Sequence, residues 1–153
     1  MIKQINVAVI GTGWCGGIRA NACNTNPLVD KLYVAETNEN RLNELKGKLN
    51  LEEATNDWKK LIKNPEIDTV IISATPEDTH YPMALLALQS GKNVFLEKPI
   101  AESVDEAQGI VEMAKSSNRK LVIGYILRVH PSWMKFIEVA QTLGKPLVMR
   151  MNL

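Results

Sequence analysis

A chain of 153 residues suits one domain, and its composition, 45% hydrophobic and 23% charged, is that of an ordinary globular protein. Its 18 basic and 17 acidic residues leave a net charge of +1 with no basic run, which argues against nucleic acid as a partner. No apolar stretch is long enough to cross a membrane, and the opening MIKQINVAVI is too short and too polar for a signal peptide.

The first elements carry the strongest pattern. Residues 5–10 (INVAVI) predict a buried strand, 11–17 (GTGWCGG) a glycine turn, 18–26 (IRANACNTN) a helix and 31–36 (KLYVAE) a second strand. Gly11, Gly13 and Gly16 fit G-x-G-x-x-G. The first glycine permits the tight turn, the second lets the backbone approach a pyrophosphate, and the third removes the Cβ that would hold the helix off the sheet. The helix aims its free N–H groups and the positive end of its dipole at the anion. Thr12, Trp14 and Cys15 fill the turn between the glycines. Glu36 ends the second strand twenty residues after Gly16, where a carboxylate can accept hydrogen bonds from an adenosine ribose.

Together these features predict a dinucleotide site, since a turn that merely packs tightly would leave Glu36 unexplained. The acid favours NAD, with NADP possible: a 2′-phosphate beside a carboxylate is repelled by roughly 4 kcal/mol at about 4 Å and an effective dielectric of about 20. Thr37 and Asn38 are neutral, but Arg41, one turn into the next helix, can swing toward a phosphate. Trp14 packs on the cofactor's approach or on the later linker. Cys15, at a helix start, is a small space-filler or a reactive thiol. Cys15 and Cys23 cannot make a disulfide framework, and neither sits in a metal-ligand pattern, so the expected setting is a reducing cytoplasm.

Leucines at 42, 45 and 49 place one helical face on residues 38–49, capped by Thr37 or Asn38. A short strand is expected at 53–55, one or two helical turns at 57–63, and an apolar strand at 68–74 (DTVIISA) that Pro76 stops. Residues 79–89 read as a helix with Pro82 in its first turn and Gly91 past its end. A strand follows at 93–97 (NVFLE), closed by Lys98-Pro99. Ser103 caps a helix over 103–115, with Glu106 three residues on as in a capping box, and 121–124 (LVIG) is a last short strand. Apolar strands separated by helices predict an α/β fold with a doubly wound parallel sheet, order 3-2-1-4-5-6, and ligands at the carboxyl ends of the strands.

Beyond Gly124, residues 130–143 predict a linker helix, and 146–153 (PLVMRMNL) a strand with apolar positions at 147, 149, 151 and 153. One strand cannot make a sheet. The expectation is a dinucleotide-binding domain over 1–124, then, over 125–153, the linker helix and first strand of an α+β domain whose remainder is missing.

The glycine turn, Glu36, Ala74-Thr75-Pro76 with His80, Gly91-Lys92-Asn93-Val94, Glu97-Lys98-Pro99 and Gly124-Tyr125-x-x-Arg128 run in order along the chain. In this they resemble the Gfo/Idh/MocA oxidoreductases, the family of glucose–fructose oxidoreductase and inositol dehydrogenase. The resemblance implies an N-terminal Rossmann domain that binds NAD(P) and a C-terminal domain, on a large mostly antiparallel sheet, that supplies the pocket for a sugar, inositol or related polyol. Homo-oligomers assembled through that sheet are implied as well. So are a downstream Asp and His that act with Lys98, which leaves this chain with half of an active site and inactive alone. Implied cofactor contacts are Ala74, Thr75, Pro76 and His80 after strand four, Glu97 and Lys98 after strand five, and Arg128. The sequence departs from the family pattern at Glu77, where Asn is frequent, and at Arg19, where His is.

Lys98 precedes a proline and is therefore held extended, pointing from a strand end into the cleft. Hydride transfer from a secondary alcohol requires the hydroxyl proton to leave too. A lysine takes it if its pKa falls from about 10.4 toward about 7, a fall worth roughly 4 kcal/mol that burial and a cationic nicotinamide would supply. Glu97 faces the other side of the strand, toward loop or cofactor hydroxyls rather than Lys98. The plainer readings are a solvated strand-end lysine, a capping or packing His80, and Tyr125, Arg128 and His130 tying down the linker helix instead of facing substrate. Alternatives in class are a stand-alone nucleotide-binding or redox-sensing module, and a family member that uses NAD without net redox.

Overall fold

Six strands form one parallel sheet in the order β3-β2-β1-β4-β5-β6, in a computed structural model that describes residues 3–145, 148 and 150. The strands are β1 (Ile5–Ile10), β2 (Val29–Ala35), β3 (Glu53–Thr55), β4 (Thr69–Ile72), β5 (Asn93–Leu96) and β6 (Leu121–Ile123). Every pairing is parallel, and at the centre Val9 lies opposite Val34 on one side and Ile71 on the other. Both faces of the central strands are apolar because both are covered. Ala8, Ile10, Tyr33 and Ala35 pack with Leu61 and Ile62 of α3 (Trp58–Lys63), Ala84 and Leu88 of α4 (His80–Gln89) and Ile110 of α5 (Val104–Ser116). Val9, Leu32 and Val34 pack on the opposite face with Ala20 of α1 (Trp14–Thr25) and Leu42 and Leu45 of α2 (Glu39–Lys48).

The doubly wound sheet and its order are as the sequence predicts. The differences lie at boundaries. Helix α1 starts at Trp14, inside the glycine turn, because the Gly17 N–H already donates to the Gly13 carbonyl at 2.8 Å. Strand β2 starts at Val29, two residues before its apolar run, since exposed Asp30 hides its beginning. Single 3₁₀ turns at Glu77–Thr79 and Ile126–Arg128 were not anticipated. The helix expected over 130–143 is α6 (Pro131–Gln141). Residues 146, 147, 149 and 151–153 lie outside those described, and with them the expected strand over 146–153.

Side chains cap the starts of α2, α3 and α5 but not those of α1, α4 and α6. The Asn38 side chain accepts from the Arg41 N–H at 3.1 Å, Asp57 from Lys59 at 2.9 Å and Lys60 at 3.2 Å, and Ser103 from Glu106 at 3.2 Å. Helix α1 begins after Gly13 with no side-chain cap and no acid in its first turn. Its first backbone N–H groups therefore keep their donor capacity.

Two buried polar residues hold the opposite, amino end of the sheet. The Lys92 ammonium is buried and donates to the carbonyls of Asn64 (2.6 Å) and Ile67 (2.8 Å), stapling the exit of α3 to the entry of β4. Burial pulls its pKa below the usual lysine range, with Asp68 opposing. The Tyr33 hydroxyl donates to Glu66 at 3.0 Å; burial, then the Glu66 carboxylate, push its pKa up to about 12. The unfolded phenol ionises near pH ~10. The stability tied to Tyr33 is thus complete below that pH and is lost as pH rises toward about 12. In an alkaline titration followed by phenolate absorbance, one of the three tyrosines ionises last. That late step is absent in Tyr33→Phe; a late step that persists in the variant would assign it elsewhere.

Candidate functional site

The carboxyl ends of β1, β2 and β4 open into a groove of about 260 Å³. Its residues come from three turns: Gly11, Thr12 and Gly13 after β1, Glu36 and Thr37 after β2, and Ala74 and Thr75 after β4, with Arg41 reaching in from α2. In a doubly wound sheet this is where a ligand binds, because the chain leaves β1 and β4 in opposite directions and the loops part. Thus eight of the residues singled out from sequence share one groove.

The glycine turn is fixed by what surrounds it. Gly11 has φ +77°, and a Cβ there would lie 2.5 Å from the Ala74 Cα. A Cβ on Gly16 would lie 1.9 Å from the Gly11 carbonyl oxygen. Gly13 is different: the nearest atom to its Cβ position is an Arg41 guanidinium nitrogen at 3.8 Å, so this glycine faces open groove.

Glu36 is buried and locks the turn to the end of β2. One carboxylate oxygen accepts from the Thr12 N–H (2.9 Å) and hydroxyl (2.5 Å), the other from the Asn38 N–H (2.9 Å). Burial pushes this carboxyl up. The Thr12 hydroxyl, the N–H groups of Asn38 and Thr12, and the nearby Arg41 charge outweigh it and hold the pKa below the ordinary range. Glu36 is therefore an anion at neutral pH on the groove wall, with lone pairs left for ligand hydroxyls.

Further groove residues were not read from sequence. Asn56 and Trp58 follow β3, Ser73 follows β4, and Thr79 and Met83 flank the start of α4. The strand order held a signal for the first two, since the loop after β3 must border the loop after β2. Ser73 Oγ is the buried side-chain polar atom without a hydrogen-bond partner among the described residues. An orphaned hydroxyl on the groove, an uncapped helix start and an anionic ribose-side wall fit a dinucleotide.

Other expected site residues lie elsewhere. Gly16 is buried beneath the turn, and Trp14 (84% exposed) and Cys15 stand on its outer side. Asn38 caps α2. Pro76 is exposed in the loop after Thr75. His80 does not offer an atom to the groove: it is buried, with Nδ1 2.7 Å from the Pro99 carbonyl and Nε2 3.1 Å from the Ala74 carbonyl. Glu97 is paired with Arg19, and Lys98 stands exposed just past the end of β5, outside the groove lining. Arg128 stacks on Tyr125 at 5.2 Å and lines, with Arg19 and Phe95, a separate hollow beside β6. Among the described residues no helix is long and apolar enough to cross a membrane, and no group of three His, Cys, Asp or Glu could hold a metal.

Comparison with known proteins agrees with this geometry. Residues 5–125 match the sequence pattern of the Gfo/Idh/MocA family, described as an oxidoreductase family with an NAD-binding Rossmann fold. The chain is 30% identical to myo-inositol 2-dehydrogenase of Thermotoga maritima, over 97% of this chain and 45% of that protein. It is 29% identical to the NAD(+)-dependent scyllo-inositol 2-dehydrogenase of Bacillus subtilis, over 96% and 44%. The crystal structure of scyllo-inositol dehydrogenase from Lactobacillus casei with bound NAD(H) and scyllo-inositol superposes with a TM-score of 0.84 at 25% identity, over 92% of this chain and 42% of that one. The chain thus spans less than half the length of these relatives. With 121 of its residues (5 through 125) matched to the family pattern, and with the glycine turn, the acid after β2 and the strand order in place, the chain belongs to the Gfo/Idh/MocA oxidoreductases and carries their NAD-binding Rossmann fold.

Proposed function

We propose that this chain binds the dinucleotide for a dehydrogenase that moves a hydride between NAD and a sugar, inositol or related polyol, with Lys98 handling the hydroxyl proton. The observation that carries the reading is the groove itself, in which the glycine turn, the Glu36 carboxylate and the loop after β4 converge at the carboxyl end of the sheet. The bound nicotinamide would supply the hydride acceptor. Glu36 and Thr37 hold ribose hydroxyls, the backbone at Gly13 and the uncapped start of α1 hold the pyrophosphate, and Ser73 Oγ has a proton to donate. Lys98 stands exposed at the end of a neighbouring strand, so the burial its role needs would come from bound substrate and cofactor and not from this chain. So covered, its amine would accept the proton of the substrate hydroxyl as the carbinol carbon gives up its hydride. Inositol dehydrogenases among the relatives support the polyol class. In this reading residues 1–124 hold the cofactor and 125–153 lead toward the substrate-binding region. Helix α6 suits that role, since it has no buried residue and shows Met134, Phe136, Ile137 and Val139 to the surface.

Calorimetric titration with NAD and with NADP tests the cofactor half. Saturable NAD binding is expected, with NADP at least about tenfold weaker, because the anionic Glu36 repels a 2′-phosphate. In Glu36→Ala that ratio shrinks, as NAD loses ribose hydrogen bonds and NADP loses a repulsion. A folded chain that binds neither dinucleotide would end the proposal, and equal affinities would end the assignment of Glu36.

A further inference from the structure

The residues on either side of Lys98 are each tied to a different helix, Glu97 through its side chain and Pro99 through its carbonyl. Glu97, the residue before it, is 8% exposed, and its Oε1 accepts from Arg19 of α1 through Nε (2.9 Å) and a terminal guanidinium nitrogen (2.5 Å). The same guanidinium lies 4.5 Å from the ring centre of Phe95, two residues earlier in β5. A Cβ at Gly124 would fall 2.6 Å from Glu97 Oε2, so bare backbone at the end of β6 closes another side of the carboxylate. Pro99, the residue after Lys98, gives its carbonyl to His80 Nδ1 at 2.7 Å. The His80 ring is 1% exposed, and its other nitrogen lies 3.1 Å from the carbonyl of Ala74 on the groove wall. The Nδ1 N–H donates to the Pro99 carbonyl, the shorter of the two contacts, and the other ring edge packs against the Ala74 loop.

None of this serves the sheet. The β5 ladder ends with the Glu97 N–H donating to Ile72 at 3.0 Å, and Lys98 lies beyond it. A strand-end turn with an exposed lysine would ordinarily be free to move. Here a buried imidazole and a guanidinium held on both an aromatic face and a carboxylate immobilise the residues that flank it. The exposed residue between two anchored ones is the lysine.

We propose that Arg19 and His80 are positioning residues for Lys98, acting through Glu97 and through the Pro99 carbonyl, so that the lysine's backbone is mounted from both sides. The relevance to turnover rests on the proton-handling reading of Lys98; the mount itself does not. The other edge of the His80 ring packs against the Ala74 carbonyl, on the groove wall. A misplacement of about 1 Å can cost on the order of 10²-fold in rate, which is the scale on which such a mount acts.

The test is the backbone order parameter at Lys98, from amide relaxation in the 153-residue chain, for wild type, Arg19→Met and His80→Phe. The wild-type value is expected near the rigid limit of about 0.85, falling below about 0.6 in each variant, while the amides of β1 and β4 keep theirs. Arg19→Met keeps the aliphatic stem and removes only the charged group, so a folding failure of His80→Phe leaves the test intact. In the enzyme that carries this chain, each variant is expected to lower kcat about 10²-fold with NAD affinity within about threefold. A wild-type Lys98 already mobile, or both variants rigid, would overturn the mount. So would variants that lose NAD affinity instead of kcat, since the residues would then act on the groove. If Lys98→Ala left turnover intact, the functional reading would fall while the order parameters still decided the mount.

Discussion

Replacing Lys98 by Ala is expected to lower kcat about 10²–10⁴-fold in the enzyme that carries this chain, with NAD affinity within about twofold of wild type. The size of the first effect follows from the chemistry. Oxidation of a secondary alcohol leaves a proton to be removed from oxygen, and a positioned base contributes on that order. The second effect follows from geometry. Lys98 lies outside the groove that Gly11, Glu36 and Thr75 line, so the cofactor's adenosine and pyrophosphate contacts do not depend on it. Measured together, turnover and calorimetric affinity separate the two roles. A variant that kept kcat within about threefold of wild type would show that another group handles the proton. One that lost NAD binding as well would make Lys98 a cofactor ligand.

Gly16→Ala carries the other large effect, on folding and binding at once. The new Cβ would sit 1.9 Å from the Gly11 carbonyl oxygen and 3.1 Å from the Ser73 Cβ. The first of these is backbone, so relief requires moving the turn or the start of α1, not a side chain. Overpacking of this kind costs about 3 kcal/mol or more, and the shift reaches the turn that meets the pyrophosphate. Expected are a lower thermal midpoint and NAD affinity reduced more than about 100-fold, or about 2.7 kcal/mol. Gly13→Ala is the informative control. Its nearest neighbour is the mobile end of Arg41 at 3.8 Å, so the free protein folds with a cost of about 1 kcal/mol, yet NAD binding weakens because the methyl enters ligand space. If the two variants lost stability equally, the division of labour between these glycines would be wrong.

The sequence alone determined what depends on a few neighbouring residues. Apolar β-branched runs marked the strands, and Asn38 and Ser103 marked two helix starts that are indeed side-chain capped. The glycine spacing with Glu36 marked the groove. The order of the sheet was also within reach, because right-handed crossovers and short connections leave few ways to assemble these units. Tertiary structure alone decided which distant side chains meet. Arg19 and Glu97 are 78 residues apart and pair only because α1 packs on β1, β2 and β4, which brings the long Arg19 side chain within reach of β5 and its end. His80 turns inward to two carbonyls instead of toward the cofactor, and Trp58 and Met83 become groove walls. Spacing along a chain fixes the face a side chain occupies on its own element. Its partner is set by how elements from separate crossovers stack, and by which buried polar atoms must be satisfied once they do.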